Sequence, residues 1–438
     1  MTNILRSPKA WGPVFVVGVL LAFLYFLVNF GAAKSPAANT HDLPVAVVNA
    51  DAGAEVGGQR VNLGARVVES AITSEEIGDK VEWTPLSSRQ QALEGLANGK
   101  YYGALVIPKD YSATVAGLSE QVAGGSLKPA RIEVLTNPSA GPFSSATVQQ
   151  ILTGVVQEAS EATGAQVTDA LQASGVQVSP AAAAVLGEPV VAEVTDAQPV
   201  GENSARGLMP FYLTFLAMIL GFIGANTIHG GVDTLTEGIV ARVGRAPSRT
   251  RLFAARAILG FVLALLVGAV EALVAFGIYG VYHEASPLYI LLFLALIASV
   301  SLFAALVLLV AFGPRAGILS GSFLIISVGL ATSGGTTPVQ NLPDSLRSLS
   351  DVLPFEHATE GIRALLFYDG RLEAGLGTAL WILAAYLVGA LMLGGAISLT
   401  RDAATRRRRS VRGSGLKPEQ KATTASSTMA TGRMRRED

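Results

Sequence analysis

The chain has 438 residues, of which half are hydrophobic, 15% are charged and none is Cys, and its mean hydropathy is +0.46. Soluble domains usually carry about 25% charged residues, so this deficit indicates a protein of the lipid bilayer. The lack of Cys excludes a disulfide scaffold, a Cys-ligated zinc site and a thiol nucleophile.

Six apolar stretches are long enough to cross a membrane, which takes about 20 residues at a rise of about 1.5 Å each. They are residues 12–33, 208–230, 252–281, 288–312, 316–331 and 376–399. The first could instead be a cleaved signal peptide, because Arg6 and Lys9 precede it and Ala32 and Ala33 are small. Its apolar run of about 20 residues exceeds the roughly 7–15 of a signal peptide, which favours a retained signal-anchor.

The charge of the connecting segments predicts how the spans are oriented. The N-terminus, the Arg-rich loop before the third span, the turn at Arg315 and the segment after Thr400 are net positive. Residues 34–206 and the other two connections are net negative. Because basic loops stay in the cytoplasm, both termini are predicted to lie there and residues 34–206 to lie outside.

Residues 34–206 are predicted to form a small extracytoplasmic α+β domain. Apolar runs bounded by turn residues predict strands at 45–49, 80–86, 101–107 and 132–135. A helix capped by Ser87 runs to about residue 97, a second spans 145–173, and an Ala/Pro/Val-rich linker leads back to the membrane. This alternation predicts a sheet in two or three layers.

The fold class predicted for the whole chain is a membrane all-α bundle of six helices, with the α+β domain inserted between the first and second spans. The chain is predicted to consist of four segments. They are the N-terminal segment with the first span (1–33), the outer domain (34–206), five further spans (207–400) and a disordered basic tail (401–438). The tail is rich in Arg, Ser, Thr and Ala, and 406–409 are four arginines next to the membrane that could bind anionic lipid headgroups.

Three segments carry a family resemblance. VAVVNAD (45–51) is a Val-rich strand running into an Asn-x-Asp turn, NGKYYGALVIPKDYS (98–112) is a second signature, and the third is 333–366. Together they resemble the YhgE/Pip family over nearly all of the chain except the tail. The outer domain is shorter than in the large phage-infection-type members, and Asn203-Ser204-Ala205-Arg206 stands where the family has Asn-Tyr-Gly.

The YhgE/Pip family is similar to a branch of the ABC-2 type export permeases. The resemblance implies a six-span permease in the bacterial cytoplasmic membrane that works with a separate cytoplasmic ABC ATPase. Six spans are half of the usual twelve, which implies a homodimer or a pair with a sister permease. Some relatives are type VII secretion accessories or phage receptors, so a non-transporting scaffold or receptor acting through the outer domain is the alternative.

The same resemblance assigns an ATPase-coupling role to the loop 231–251. The matching residues are Glu237, Arg242, Pro247, Ser248 and Arg251. A short amphipathic helix ended by Gly244 and Pro247 could insert into a groove of the ATPase, while Arg251 and Arg256 hold the next span at the headgroups. The alternative is that these arginines only fix the topology.

Glu271 is the one acidic residue well inside a predicted span, in its outer half. A carboxyl group in the membrane is costly, which makes it a candidate for a substrate path. The alternative is a carboxylate that snorkels outward or is paired structurally. Gly260, Ala264 and Gly268 on the same span allow close helix packing, within one subunit rather than at a dimer seam.

The loop 333–375 is too polar to span the membrane yet contains the apolar run 362–368, which predicts an interfacial or re-entrant hairpin on the outer side. Its candidate residues are Pro354, Glu356, Gly361 and Arg363. His357 and Glu360 have the i,i+3 spacing of a metal pair but are interpreted as a solvated helix face.

The sequence lacks the residues that several classes of function require. The sequence has no Gly-x-x-x-x-Gly-Lys-Ser/Thr loop, so ATP hydrolysis is expected only in a partner subunit. No His-Glu-x-x-His motif or Ser/His pair suggests an enzyme, and no catalytic residue, cofactor or metal is predicted. No nucleic-acid partner is predicted either. The apolar spans favour a lipid-like or amphipathic cargo and contacts with membrane lipids.

Overall fold

The computed structural model describes residues 8–33, 39–56, 58–75, 77–118, 121, 128–173, 180–244, 246–335 and 337–414. In chain order its elements are α1 (Pro8–Ala33), β1 (Leu43–Asn49), β2 (Ala54–Val56), β3 (Gln59–Val61), α2 (Leu63–Thr73), β4 (Val81–Leu86), α3 (Arg89–Ala97), β5 (Gly103–Ile107), α4 (Tyr111–Ala116), β6 (Ala130–Thr136), α5 (Pro142–Ala173), α6 (Pro180–Gly187), β7 (Val190–Asp196), α7 (Met209–Val243), α8 (Arg249–Ala272), α9 (Pro287–Phe312), α10 (Pro314–Ser322), α11 (Gly329–Thr332), α12 (Asp344–Val352), α13 (Pro354–Phe367) and α14 (Leu376–Ser414).

Six helices are long and apolar enough to span a membrane, as the sequence predicts. They are α1, α7, α8 with its π-helical continuation Leu273–Ile278, α9, the run from α10 to α11 through the π-helical segment Phe323–Val328, and α14. The most apolar 18-residue window of α9 is 78% buried, whereas that of α1 is 6% buried. The fourth span is therefore the centre of the helical block, and the first lies at its periphery.

Residues 43–196, which we call the α/β domain, are built on a five-stranded sheet of order β4-β1-β5-β6-β7. β1 is parallel to both β4 and β5, while β6 is antiparallel to β5 and parallel to β7. The central strands β1 and β5 read as nearly continuous apolar runs, because both of their faces are covered.

Helices cover both faces of this sheet, which gives three layers. On one face Ala92 and Leu96 of α3 pack against Val48 and Val106. On the other, α5 buries Leu152 and its neighbours in a larger core that also takes in residues of α2 and α4. Alternating strand residues therefore point into two separate cores.

Two local expectations for this domain are wrong. The segment expected to be a linker contains β7, which pairs with β6 over its full length; the pattern missed it because β7 is an edge strand with only Val190 buried. The cap of α3 is Ser88 and not Ser87, since the Ser88 side chain accepts a hydrogen bond from Gln91 N at 3.3 Å.

The loop 333–375 folds into a helical hairpin, α12 followed by α13, beside the α/β domain. The apolar residues of α13 join the core of the membrane-spanning helices, with Ile362 completely buried. The backbone N–H groups of Glu284 and Ala285 donate to carbonyls of Leu366 and Leu365, both at 3.0 Å. The hairpin is thus packed into this end of the bundle.

The last span is longer than expected. α14 continues to Ser414, so residues 401–414 are helical where a disordered tail was predicted. Its Ala and Arg residues favour a helix that is already nucleated by the apolar span. The rest of the tail, and the side chains of Arg408 and Arg409, lie outside the described residues.

Candidate functional site

The predicted coupling residues lie at the end of the bundle away from the α/β domain. The 35 residues of α7 separate the two ends by about 50 Å at 1.5 Å per residue. We call this the basic end, because eight described arginines gather there, namely Arg242, Arg249, Arg251, Arg256, Arg315, Arg401, Arg406 and Arg407.

Glu237 and Arg242 belong to α7 itself and not to a separate coupling helix, which corrects the sequence expectation. α7 runs unbroken to Val243 and ends at Gly244, whose φ of +69° is left-handed. The helix continues past its apolar part because no proline interrupts it. Both side chains are exposed.

The other three coupling residues form the turn into α8. Ser248 caps that helix by accepting from Arg251 N at 3.3 Å. Asp402 of the last span adds a second cap, since its carboxylate accepts from Arg249 N at 2.9 Å and from the next backbone N–H at 3.0 Å. Pro247 is half-buried and Arg251 is exposed. The turn is therefore held rigidly against α14.

Arg256 was expected at the headgroups but is 6% exposed and paired with Asp233 of α7. His229 Nε2 lies 3.3 Å from the same carboxylate. Arg401 donates to two of the last carbonyls of α9, with a distance of 2.7 Å to Ala311 O. Sequence reasoning missed this network and Asp402, although His229 and Asp233 at i,i+4 after an apolar run were a usable signal.

Glu271 lies in α8, about three-quarters of the way along the third span from the basic end, and is 8% exposed. Neither carboxylate oxygen has a hydrogen-bond partner among the described residues. The residue lines a cavity of about 610 Å³ between α7 and α8, and every other lining side chain is apolar except Tyr279. Among the alternatives left open by the sequence, neither snorkelling nor a structural ion pair matches these surroundings.

The small residues of the third span bring α8 against α9 of the same chain. A Cβ atom added at Gly268 would lie 2.7 Å from Ala295 N, and one added at Gly260 would lie 2.8 Å from Leu302 Cδ2. These contacts leave no room for larger side chains. The glycine spacing thus serves packing within one subunit, as the sequence suggested.

The four hairpin candidates have different environments. Pro354 opens α13 at its first turn, where its missing N–H costs nothing. A Cβ atom at Gly361 would lie 2.2 Å from Phe293 Cζ, so glycine allows α13 to touch α9. Burial, helped by the nearby Glu360, raises the pKa of Glu356 to about 8. Arg363 Nε is buried without a partner among the described residues.

His357 and Glu360 are half-buried and not on a solvated helix face, which corrects that interpretation. His357 Nε2 lies 3.1 Å from the carbonyl of Asp351. In the part of the chain that the structure describes, no group of three or more His, Asp or Glu side chains could hold a metal ion.

The Asn-Gly-Lys-Tyr-Tyr signature faces the hairpin. Tyr368 O–H, at the end of α13, donates to Asn137 Oδ1 at 3.1 Å, and its ring lies 3.3 Å from the Cβ position of Gly99. Arg371 donates to Asn98 Oδ1 at 2.7 Å. Gln340 Nε2 lies 3.4 Å from the Tyr102 hydroxyl. The signature therefore joins the α/β domain to the hairpin.

Asp51 connects the two domain signatures. Its carboxylate accepts from Ser112 N at 3.0 Å, Ser112 Oγ at 2.5 Å, Gly64 N at 3.0 Å and Gly53 N at 3.2 Å. Burial raises the pKa of Asp51, but the hydrogen bonds together hold it below its ordinary value. The Asn-x-Asp turn and Ser112 are thus held together by hydrogen bonds to the Asp51 carboxylate.

Six candidate spans and a basic, Arg-rich end define a multi-pass membrane protein. A family model described as ABC-2 family transporter protein matches residues 11–397, and the chain belongs to that family. It is also similar to "Uncharacterized protein YhgE" of Bacillus subtilis (strain 168), with 25% identity over 139 residues. The match covers 32% of this chain and 16% of that relative's length.

Proposed function

We propose that this chain is the membrane-spanning permease subunit of an ATP-driven exporter, with ATP hydrolysed by a separate cytoplasmic ABC ATPase. The observation that carries the proposal is the construction of the basic end. Glu237, Arg242 and Arg251 are exposed around a turn fixed by Ser248 and Asp402. A rigid turn with exposed charges of both signs is suited to transmit a movement of a bound partner.

The proposed orientation places the basic end in the cytoplasm and the α/β domain and hairpin outside. Positive-inside charge supports it. Single Cys substitutions in this Cys-free chain test it. An impermeant thiol reagent applied to intact cells should label Ser87→Cys and should leave Gly238→Cys and Ala404→Cys unlabelled until the cells are lysed. The reverse pattern would overturn the orientation and the ATPase contact with it.

The proposed cargo is lipid-like or amphipathic, and the proposed path includes the cavity beside Glu271. A space of about 610 Å³ with almost wholly apolar walls takes up hydrocarbon readily. The carboxyl group of Glu271 borders that space and is its only charged group, and we propose that it meets the polar part of the cargo. A homodimer, or a pair with a sister permease, would supply the remaining six of twelve spans.

The central experiment is co-purification with an ATPase subunit. The double charge reversal Glu237→Arg with Arg242→Glu should abolish co-purification while expression and membrane insertion persist, because both residues are exposed. The matched control is Arg66→Glu with Glu69→Arg on the exposed side of α2, which should leave the complex intact. If both double variants retain the ATPase equally, or if no ATPase accompanies the wild type, the scaffold or receptor function replaces this proposal.

A further inference from the structure

A second cavity lies at the basic end, among the ends of five helices. It has a volume of about 390 Å³ and is lined by residues of α7, α8, α9, α10 and α14 together with the turn before α8. Its charged lining residues are Arg249, Arg256, Arg401 and Asp233, with His229 beside them. Three guanidinium groups against one carboxylate give the cavity an excess of positive charge.

Two of the deepest lining side chains have polar atoms without partners. Arg256 is 6% exposed and His229 is 8% exposed. Arg256 uses one terminal nitrogen on Asp233, yet its Nε has no hydrogen-bond partner among the described residues, and neither does His229 Nδ1. Buried polar atoms nearly always have a hydrogen-bond partner, so two unpaired atoms in one cavity indicate that a ligand binds there. Arg256 Nε–H donates only, which requires an acceptor.

The groups around the cavity do not supply that acceptor. The carboxylate of Asp402 is directed at the first backbone N–H groups of α8, and Ser248 caps the same helix. Arg401 is occupied by carbonyls at the end of α9. Arg249 is exposed, and its guanidinium has no ion-pair partner among the described residues. The unmet requirement is for an acceptor at Arg256 Nε–H, and the excess positive charge favours an anion.

The position of the cavity indicates where this anion comes from. Arg249 begins the third span, and Arg401 directly follows the apolar part of the sixth. The cavity is therefore at the depth where hydrocarbon gives way to headgroups. Leu252 and Leu309 form part of its wall, which provides an apolar surface next to the charges. Basic pockets between spans at this depth suit anionic lipid headgroups.

We propose that this cavity binds the phosphate group of an anionic phospholipid. Arg249 attracts the phosphate at the cavity mouth, and the buried Arg256 donates to it through Nε. Because Pro247 of the turn before α8 and Arg249 at the start of that helix line the same cavity, a bound lipid would also fix the position of that turn. The proposal does not depend on the identity of the exported cargo.

Binding of an acyl-labelled fluorescent phosphatidylglycerol to the purified full-length protein in detergent micelles tests the proposal. Labelled phosphatidylglycerol should bind saturably, and labelled phosphatidylcholine should bind more weakly. Arg249→Gln should weaken phosphatidylglycerol binding about fivefold, since one arginine near a membrane surface contributes about 1 kcal/mol. Arg315→Gln is the matched control, because it removes an exposed arginine from the same end of the bundle outside the cavity.

The double variant Asp233→Asn with Arg256→Gln removes the buried pair together, so that no lone charge remains in the helix interface. It should lose lipid binding while keeping its elution volume and helix content. Inorganic phosphate serves as competitor. If it displaces the lipid, a phosphate site is supported; if it binds while the lipid does not, the anion site stands and soluble phosphate is its source.

Equal binding of phosphatidylcholine and phosphatidylglycerol, or equal losses in Arg249→Gln and Arg315→Gln, would overturn the proposal. So would failure of both the lipid and phosphate to bind while Arg249→Gln weakens ATPase co-purification. That result would assign the cavity to an acidic side chain of a protein partner.

Discussion

Asp51 in the α/β domain and Glu271 in the third span are both 8% exposed carboxyl groups, but their surroundings are opposite. Asp51 accepts four hydrogen bonds from three residues. Glu271 accepts none from the described residues and faces an apolar cavity. The α/β domain uses its buried carboxylate to join loops, whereas the buried carboxyl group of the third span has no hydrogen-bond partner among the described residues.

The same contrast holds for the two regions as a whole. Among the described residues of the α/β domain, only Trp83 has a buried side-chain polar atom without a partner. The spans and the hairpin contain the others, with Glu271, Arg256 and Arg363 among them. Since unpaired buried groups cost free energy, their concentration in the spans and the hairpin supports the cargo and lipid sites proposed there.

The largest expected effect is at Asp51. Asp51→Ala would leave four donors of the domain without their acceptor, and hydrogen bonds to a charged group contribute about 1.5–3 kcal/mol each. The free energy of unfolding of the α/β domain should fall by at least about 3 kcal/mol. Limited proteolysis of the full-length protein in detergent should show early cleavage within residues 43–196. Asp110→Ala is the control, because that exposed side chain makes no cap hydrogen bond. Equal sensitivity of both variants would contradict the structural role of Asp51.

The next largest effects are two opposite dependences of stability on pH, one at Asp51 and one at Glu356. The pKa of Asp51 is lowered in the folded protein. Its ionisation therefore adds to the free energy of unfolding above the unfolded pKa of about 3.9, and this stabilisation is lost as the pH falls through the folded pKa. The pKa of Glu356 is raised to about 8 by burial and by the neighbouring Glu360 and Asp351. The stabilisation that the protonated Glu356 provides is fully present below the unfolded pKa of about 4.3 and is lost as the pH rises towards 8.

Thermal unfolding of the full-length protein between pH 5 and pH 9 measures the second of these dependences. The wild type should lose stability as the pH rises, and Glu356→Gln should flatten that slope, because the amide cannot ionise. Glu373→Gln serves as the control, since it removes an exposed carboxyl group from the same loop. A slope that is unchanged in Glu356→Gln would show that this carboxyl group is not buried as described.

A smaller effect is expected where the two regions meet. Tyr368→Phe removes the hydroxyl that donates to Asn137 Oδ1, which still accepts from Ala140 N at 3.2 Å. The loss should be about 1 kcal/mol, the usual net contribution of one hydrogen bond. Hydrogen exchange at residues 98–103 should rise in Tyr368→Phe and stay at the wild-type level in Tyr279→Phe, whose ring is exposed. If exchange is the same in both, the hydroxyl does not help to hold the domain on the hairpin.

Sequence patterns predicted what depends on local periodicity and long apolar runs. The six spans and four strands of the α/β sheet follow from such runs, and Glu271 was found because an acidic residue inside a span is conspicuous. The edge strand β7 escaped because its exposed residues carry no apolar alternation. The contacts of Asp402 with the start of α8, and of Tyr368 with Asn137, join residues 152 and 231 positions apart. No single-sequence pattern encodes such pairs.

The smallest effect on stability is expected at Glu271, and this prediction tests the comparison most directly. Glu271→Gln keeps the shape of the side chain and has no hydrogen bond or ion pair to break, because neither oxygen has a partner among the described residues. Removing one member of a buried ion pair would cost about 3–5 kcal/mol, so a structural pair would show itself as a large fall in melting temperature. We expect the melting temperature in detergent to stay within about a degree of the wild type, or to rise, because an amide is cheaper than a carboxylate to bury. Transport-linked ATPase activity of the purified complex should nevertheless fall, because the only carboxyl group of the apolar cavity is gone. Thr227→Val, at an exposed position of α7 outside that cavity, should change neither quantity. A strongly destabilised Glu271→Gln would mean that the carboxylate has a structural partner, and unchanged stability together with unchanged activity would remove Glu271 from the path.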